Sequence, residues 1–240
     1  MFKFIFAAFA CLFISSSAIA ETYIPEEGSD ELLKKRKVKI PYDKNLPDVL
    51  IIGDSISIGY TPFVAQLLKG KANVIHNKGN SQGTTNGLVK LSSWLGDKKW
   101  AVIHYNFGLH DLKHVKVAGT SQNSNSFDDP QQADLATYTK NLAVITEKLK
   151  KTGAPLIFAT TTPYPAGVKP ARLPADAVKY NEKAIEIMKK HGVLVNDLYN
   201  HILPHLKKLQ RPVNVHFTPE GSLYLARKVA KDILEKLPKK

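Results

Sequence analysis

Five short apolar runs, separated by helical patterns, constrain the fold of this chain more tightly than any other feature. The runs occupy residues 49–52, 73–76, 101–106, 156–160 and 193–195, and the clearest helical patterns occupy 135–151, 176–190 and 219–236. Runs this short are strands rather than helices, and their near-continuous apolar character suits strands covered on both faces. Strands that alternate with helices pair in parallel through crossover connections. The expected fold class is therefore α/β: three layers, α/β/α, around a doubly wound, mostly parallel five-stranded sheet. In such a sheet reacting groups gather beyond the carboxyl ends of the strands.

The chain ahead of the first strand divides in two. Residues 1–20 carry one cation, Lys3, an apolar stretch from 4 to 14, and a closing Ala18-Ile19-Ala20. This is the pattern of a secretory signal peptide cleaved after Ala20. The stretch is shorter than the roughly 20 apolar residues that a span needs, so no stable membrane anchor is expected after cleavage. The protein is expected to be exported, either periplasmic or secreted. Residues 21–47, with Pro25, Pro41 and Pro47 among charges of both signs, read as an extended N-terminal arm. Residues 48–240 then make a single domain with a core large enough to need no staples. The only cysteine, Cys11, falls inside 1–20, so the mature chain has no thiol chemistry.

The net charge of +13 becomes +12 once Lys3 is removed, and an exported basic protein concentrates near polyanions such as acidic polysaccharides and cell-wall polymers. Nucleic acid is not an expected partner. Lys34-Lys35-Arg36-Lys37 is the one compact basic cluster, no aromatic residue interleaves it, and it reads as a solvated face. A monomer without cofactors is expected.

Four short blocks fall where strands of this sheet should end. They are Gly53-Asp54-Ser55, Gly79-Asn80-Ser81-Gln82-Gly83-Thr84, Gly108-Leu109-His110-Asp111 and His216-Phe217-Thr218-Pro219-Glu220-Gly221. Each has a structural reading of its own. Asp54 and Ser55 are favoured helix caps ahead of an apolar helical pattern at 61–68. Gly79 and Gly83 are loop glycines, and His216 stands before a Thr-Pro helix start. Chemistry needs more than any one of them. A serine needs a base within hydrogen-bond reach, a histidine can take and return the proton, and the tetrahedral intermediate needs donors fixed in advance.

In this order and spacing the blocks resemble the SGNH hydrolases, also called the GDSL family, over nearly all of residues 48–237. The resemblance implies a flavodoxin-like hydrolase fold, with Ser55 as nucleophile and His216 as its general base. It implies an oxyanion hole made by the Ser55 N–H, by Gly83 (with Gly79 as the alternative) and by His110, which stands where the family usually has asparagine. Asp54 and Asp111 are supporting residues. Gly-Leu-His-Asp, with Gly-Asp-Ser-Ile-Ser-Ile-Gly-Tyr and Asn-Val-His-Phe-Thr, is similar to a bacterial subgroup of these proteins.

One position departs from the family pattern: the aspartate expected three residues before the histidine is Val213. Asn214, two residues before His216 and on the same side if the segment is a strand, is the nearest polar substitute as the orienting residue. Asp197, then Asp111 and Asp54, are carboxylates that could serve from elsewhere. His110 and His114, four apart, could share one helix face and bind zinc, but the glutamate of the metalloprotease pattern and a strong third ligand are missing, so no metal is expected. Residues 115–132 and 161–175 read as long loops hanging over the edge that carries Ser55.

The function implied is an exported serine esterase that hydrolyses carboxylic esters, foremost O-acetyl groups on carbohydrate or cell-wall polymer, through an acyl-serine intermediate. Export, basic charge and polar loops favour a glycan over a long acyl chain. The alternatives are an acyltransferase using the same site and a catalytically weak carbohydrate-binding protein on the same scaffold.

Overall fold

The computed structural model describes residues 26–238. The expected signal peptide, the first residues of the arm and the last two residues lie outside this range. Five strands, β1 (Asp48–Ile52), β2 (Asn73–His76), β3 (Val102–Tyr105), β4 (Leu156–Ala159) and β5 (Leu194–Asn196), form one sheet in the order β2-β1-β3-β4-β5. Every neighbouring pair is parallel. Val49 to Ile52 of the central β1 are 0–1% exposed, which explains why the strand carries no polar alternation: helices cover both of its faces.

Among the described residues eight α-helices surround the sheet. They are α1 (Ser29–Lys34), α2 (Ser55–Leu67), α3 (Thr84–Leu95), α4 (Leu135–Lys150), α5 (Pro174–His191), α6 (Leu198–Ile202), α7 (Leu206–Leu209) and α8 (Pro219–Lys236). Helices α2 and α8 pack together on one face with α1 and α6, while α3, α4 and α5 line up on the other. This is the three-layer architecture expected, with strands fully parallel.

Short polar side chains start the helices that matter to the site. Asp54 accepts from the Ile56 N–H at 2.9 Å and caps α2, and Thr218 accepts from the Gly221 N–H at 3.1 Å and caps α8, with Pro219 at the first helical position. Helix α2 therefore begins at Ser55, six residues ahead of the apolar pattern. Helix α3 carries a weak sequence signal because Gly87 sits in its middle; a Cβ there would meet the Phe107 ring at 2.8 Å. Packing overrides the poor helix propensity of glycine.

The arm is not extended throughout. Residues 29–34 form α1 and Lys35–Lys37 a 3-10 turn, because Arg227 of α8 pairs with Glu26 at 2.9 Å and donates to Ser29 Oγ at 3.1 Å. Farther on, Gln66 Nε2 donates to Val38 O at 3.0 Å and Asn73 Nδ2 to Asp43 O at 2.8 Å, which lays the segment along α2 and β2. Arg36 comes to rest with its guanidinium 5.8 Å from the centroid of the buried Phe63 ring.

Candidate active site

Ser55 occupies the first position of α2 immediately past β1, and His216 lies in the turn that leads into α8. The two meet across the α2–α8 contact, where His216 Nε2 stands 2.8 Å from Ser55 Oγ. On the other side of the ring, His216 Nδ1 is 2.7 Å from Asn214 Oδ1, an atom that also accepts from the His216 backbone N–H at 2.9 Å. Since an amide oxygen only accepts, Nδ1 carries the proton and Nε2 is free to accept from Ser55 Oγ–H. Burial, then the charges of Arg211 and Arg172, hold the His216 pKa below the usual histidine value, so the ring is a neutral proton acceptor near pH 7.

Residues 213–216 form a turn and no strand. Val213, at the position where the resemblance expects aspartate, has φ 46° and is 62% exposed. Asn214 reaches the ring from the next position. None of the carboxylates offered by the sequence takes its place. Asp197 caps α6 and binds Thr160 and Asn200, Asp111 accepts from Thr84, and Asp54 caps α2.

The second block meets the third through Asp111. Its Oδ1 accepts from Thr84 N at 2.7 Å and Thr84 Oγ1 at 2.5 Å, which fixes the start of α3. Gly83, the cap of α3, has φ −91°, so its need for glycine is steric: a Cβ would stand 3.0 Å from Asp111 Oδ1. Gly79 has φ 77° and lies in the preceding turn, where its carbonyl accepts from Asn77 Nδ2 at 3.1 Å. The N–H groups of Ser55 and Gly83, at the starts of α2 and α3, belong to the donors that a helix leaves without an intrahelical acceptor. The only two non-glycine residues with positive φ among the described residues are Gln82 (57°) and Val213. Each directly precedes a residue of this cluster, Gly83 or Asn214, and backbone strain of this kind gathers where geometry is over-determined.

Burial dominates the electrostatics. It pushes Asp111 up to about 7 and Asp54 up to about 6. It pushes His110 down to about 3, aided by Lys113, Arg172 and His216. His110 is thus a neutral ring whose Nδ1 is buried without a partner. His110 lies in a turn and His114 in an isolated antiparallel bridge to Gln131, so the two share no helix face, and His114 Nδ1 bonds Asp129 O at 2.6 Å. Among the described residues no group of three His, Cys, Asp or Glu could hold a metal ion.

The two long loops interlock beyond the sheet. His114 N donates to Ala171 O, and Ala171 N donates to Ser124 O, both at 2.9 Å. Arg172 Nε donates to Leu109 O at 2.9 Å. Its guanidinium is buried, and burial lowers its pKa to about 10. Sequence reasoning did not single out three groups that the structure brings here. Arg36 and Arg211 line a cleft of about 230 Å³ together with Ser55 and His216. Ser57 Oγ stands 2.7 Å from His76 Nε2 and 2.7 Å from Asp54 O, which ties the end of β2 to the turn that carries Ser55. The scarcity of arginine was the one available signal, since only four of the 34 basic residues are arginine.

Similar structures share this frame. A lipase/acylhydrolase from Enterococcus faecalis matches with a TM-score of 0.66 and 21% identity over 81% of this chain and 98% of that one. Axe2, an acetylxylan esterase from Geobacillus stearothermophilus, matches with a TM-score of 0.63 and 18% identity over 78% of this chain and 94% of that one. The acetyl xylan esterase AlAXEase matches with a TM-score of 0.63 and 16% identity over 78% of this chain and 99% of that one. No curated protein matches. Residues 51–223 match the GDSL-like lipase/acylhydrolase family, so the chain belongs to that family and is a serine hydrolase of the esterase type.

Proposed function

We propose that the protein is an exported serine esterase that removes O-acetyl groups from a carbohydrate or cell-wall polymer through an acyl-serine intermediate. The observation that carries the reading is the continuous relay from Asn214 Oδ1 through the His216 ring to Ser55 Oγ, with distances of 2.7 and 2.8 Å. Export rests on the sequence of residues 1–20; among the described residues no helix is long and apolar enough to cross a membrane. The acetyl-glycan substrate is supported by the basic charge and by the likeness to acetylxylan esterases.

In the mechanism, Ser55 Oγ attacks the ester carbonyl as its proton passes to His216 Nε2. The carbonyl oxygen becomes an oxyanion held by the N–H groups of Ser55 and Gly83 and by a ring N–H of His110. His110 Nδ1 is buried without a partner, and Nε2 is the nitrogen assigned here as donor. Collapse breaks the bond to the sugar oxygen, which takes the proton from His216 and leaves as an alcohol. Water then attacks the acetyl-serine as its proton passes to His216 Nε2; collapse expels Ser55 Oγ, which takes that proton back, and the acetic acid formed ionises to acetate.

Acetate release from a small aryl acetate and from an acetylated polysaccharide, compared between the mature chain and Ser55→Ala, tests this reading. Loss of about 10⁴-fold or more in the variant is expected, because residues that act as a unit lose nearly everything singly. Turnover retained by Ser55→Ala would overturn the serine mechanism. Acetyl groups appearing on a second sugar in place of free acetate would make the enzyme a transferase. Intact mass of the exported protein, expected to begin at Glu21, tests the signal peptide.

A further inference from the structure

The chain has four arginines, and their placement is uneven. Arg227, midway along α8, is paired with Glu26, whereas Arg36 and Arg211 line the cleft of His216 and the charges of Arg211 and Arg172 reach its ring. Arg36 and Arg211 line the cleft that holds Ser55 and His216; the remaining lining is Ile56, Ile58, Gly59, Phe217 and Ser222, with no carboxylate among them. Neither guanidinium takes part in any of the ion pairs among the described residues.

Arg36 is half-buried and Arg211 is exposed, and each is anchored beside the cleft. Arg36 is half-buried on the Phe63 ring and is brought there by the helical part of the arm. Arg211 shares the turn of the base, its N–H donating to His216 O at 3.0 Å. A cation beside a general base disfavours its protonated form, and the same charge is available to an anionic substrate. The guanidinium fork matches the two oxygens of a carboxylate or a phosphate, a recognition that lysine performs less well.

We infer that Arg36 and Arg211 form an anion-recognition subsite beside Ser55, selecting acetyl esters whose sugar carries an oxyanion group, a carboxylate or a phosphate, close to the acetylated hydroxyl. The inference rests on the esterase reading and narrows its substrate to acidic acetylated saccharides. Arginines that only stabilised the reaction's own oxyanion would act alike on neutral and charged substrates; a subsite discriminates between them. It also differs from the general attraction of a basic protein, because it depends on two named side chains.

The experiment measures kcat/KM for acetate release from three probes and a reference ester: an acetylated methyl uronoside, its uronamide, an acetylated methyl hexoside 6-phosphate, and an aryl acetate. The wild type is expected to prefer the uronate or the phosphate over the uronamide by about tenfold at low salt, chiefly through KM, and the preference should shrink as salt screens it. The Arg36→Gln, Arg211→Gln double variant should bring the ratio close to one, with each single variant between. Lys148→Gln, which removes an exposed charge on α4, should keep the wild-type ratio. The probe with the larger ratio identifies the oxyanion. Equal rates on charged and neutral sugars, or a ratio unchanged in the double variant, would overturn the subsite while leaving the esterase standing. No acetate from any probe, aryl acetate included, would overturn the esterase reading and the subsite with it.

Discussion

Asn214 Oδ1 accepts two hydrogen bonds from His216, one from its backbone N–H at 2.9 Å and one from its ring Nδ1–H at 2.7 Å. Two donors converging on one atom fix which way the amide points, because a flipped amide would aim its own N–H groups at both. The asparagine therefore sets the imidazole orientation and tautomer, which is one half of what a triad carboxylate does. The other half, stabilising the imidazolium by charge, is missing. In the proposed mechanism Asn214 is a positioning residue, and the turn that carries it is held by a valine in the left-handed region.

Asn214→Asp should supply the missing charge. A rise of about tenfold in kcat/KM is expected, with the acidic limb of the pH profile moved upward because a carboxylate raises the histidine pKa. Val213→Asp should not have this effect, since the Val213 side chain is largely in solvent. Asn214→Leu should lose about tenfold or more by releasing the ring. A rate gain in Val213→Asp matching that of Asn214→Asp would show that the turn rearranges and that this account of Asn214 is wrong.

In the proposed mechanism the pH dependence follows from His216, which must be neutral to accept the Ser55 proton. Burial, Arg211 and Arg172 lower its pKa, so kcat/KM should fall only as pH drops below the ordinary histidine value near 6.5. Arg211→Gln removes a positive charge that penalises the imidazolium. Its pKa should rise, and the acidic limb should move to higher pH. A profile that stays in place, measured on a neutral aryl acetate, would mean that the Arg211 charge does not reach the ring.

His110 should behave as a neutral donor across the working pH range, because burial places its pKa at about 3. His110→Ala is expected to lose about 10²-fold or more in kcat, the usual cost of one oxyanion donor. His110→Asn should recover much of that, since an amide N–H can take the same role. If both variants were equally impaired in kcat, the ring would be needed for something other than donation.

Much of the fold was legible because parallel sheets buried on both faces demand apolar strands, and β1 to β5 fall on or within a residue or two of the runs read from the sequence. Helix α8 was legible to the residue through Thr218-Pro219. Helices α3 and α1 were not. The first has Gly87 accommodating the Phe107 ring, and the second forms only against α8, through contacts distant in sequence. The spacing of Asn214 and His216 suggested their contact, yet the geometry is that of a tight turn. Arg36 was hidden for a different reason: a run of four basic residues looks like a solvated face, and only the docking of the arm on α2 separates Arg36 from its neighbours.

His104 predicts how the fold responds to acid. It is fully buried on β3, edge-on to Tyr60, and accepts from Asn196 Nδ2 at 3.3 Å through Nε2, leaving no room for a second proton. Burial, aided by the charge of Lys228, lowers its pKa to about 3. The unfolded chain binds a proton near pH 6.5 and the native state does not, so this contribution to stability is complete above about 6.5 and is lost as pH falls toward about 3. Asp54 and Asp111 work in the opposite direction, because their raised pKa values let the native state hold protons longer between about 4 and about 7. The histidine effect is therefore read as a difference between proteins. Denaturant unfolding of wild type and His104→Gln between pH 6 and 4 should give stability curves whose slopes differ by one proton, about 1.4 kcal/mol per pH unit, with the wild type losing more. Glutamine can still accept from Asn196, so the comparison survives a modest loss of stability in the variant. Parallel curves would mean that His104 takes up its proton in the folded state, and the buried neutral ring assigned to β3 would have to be abandoned.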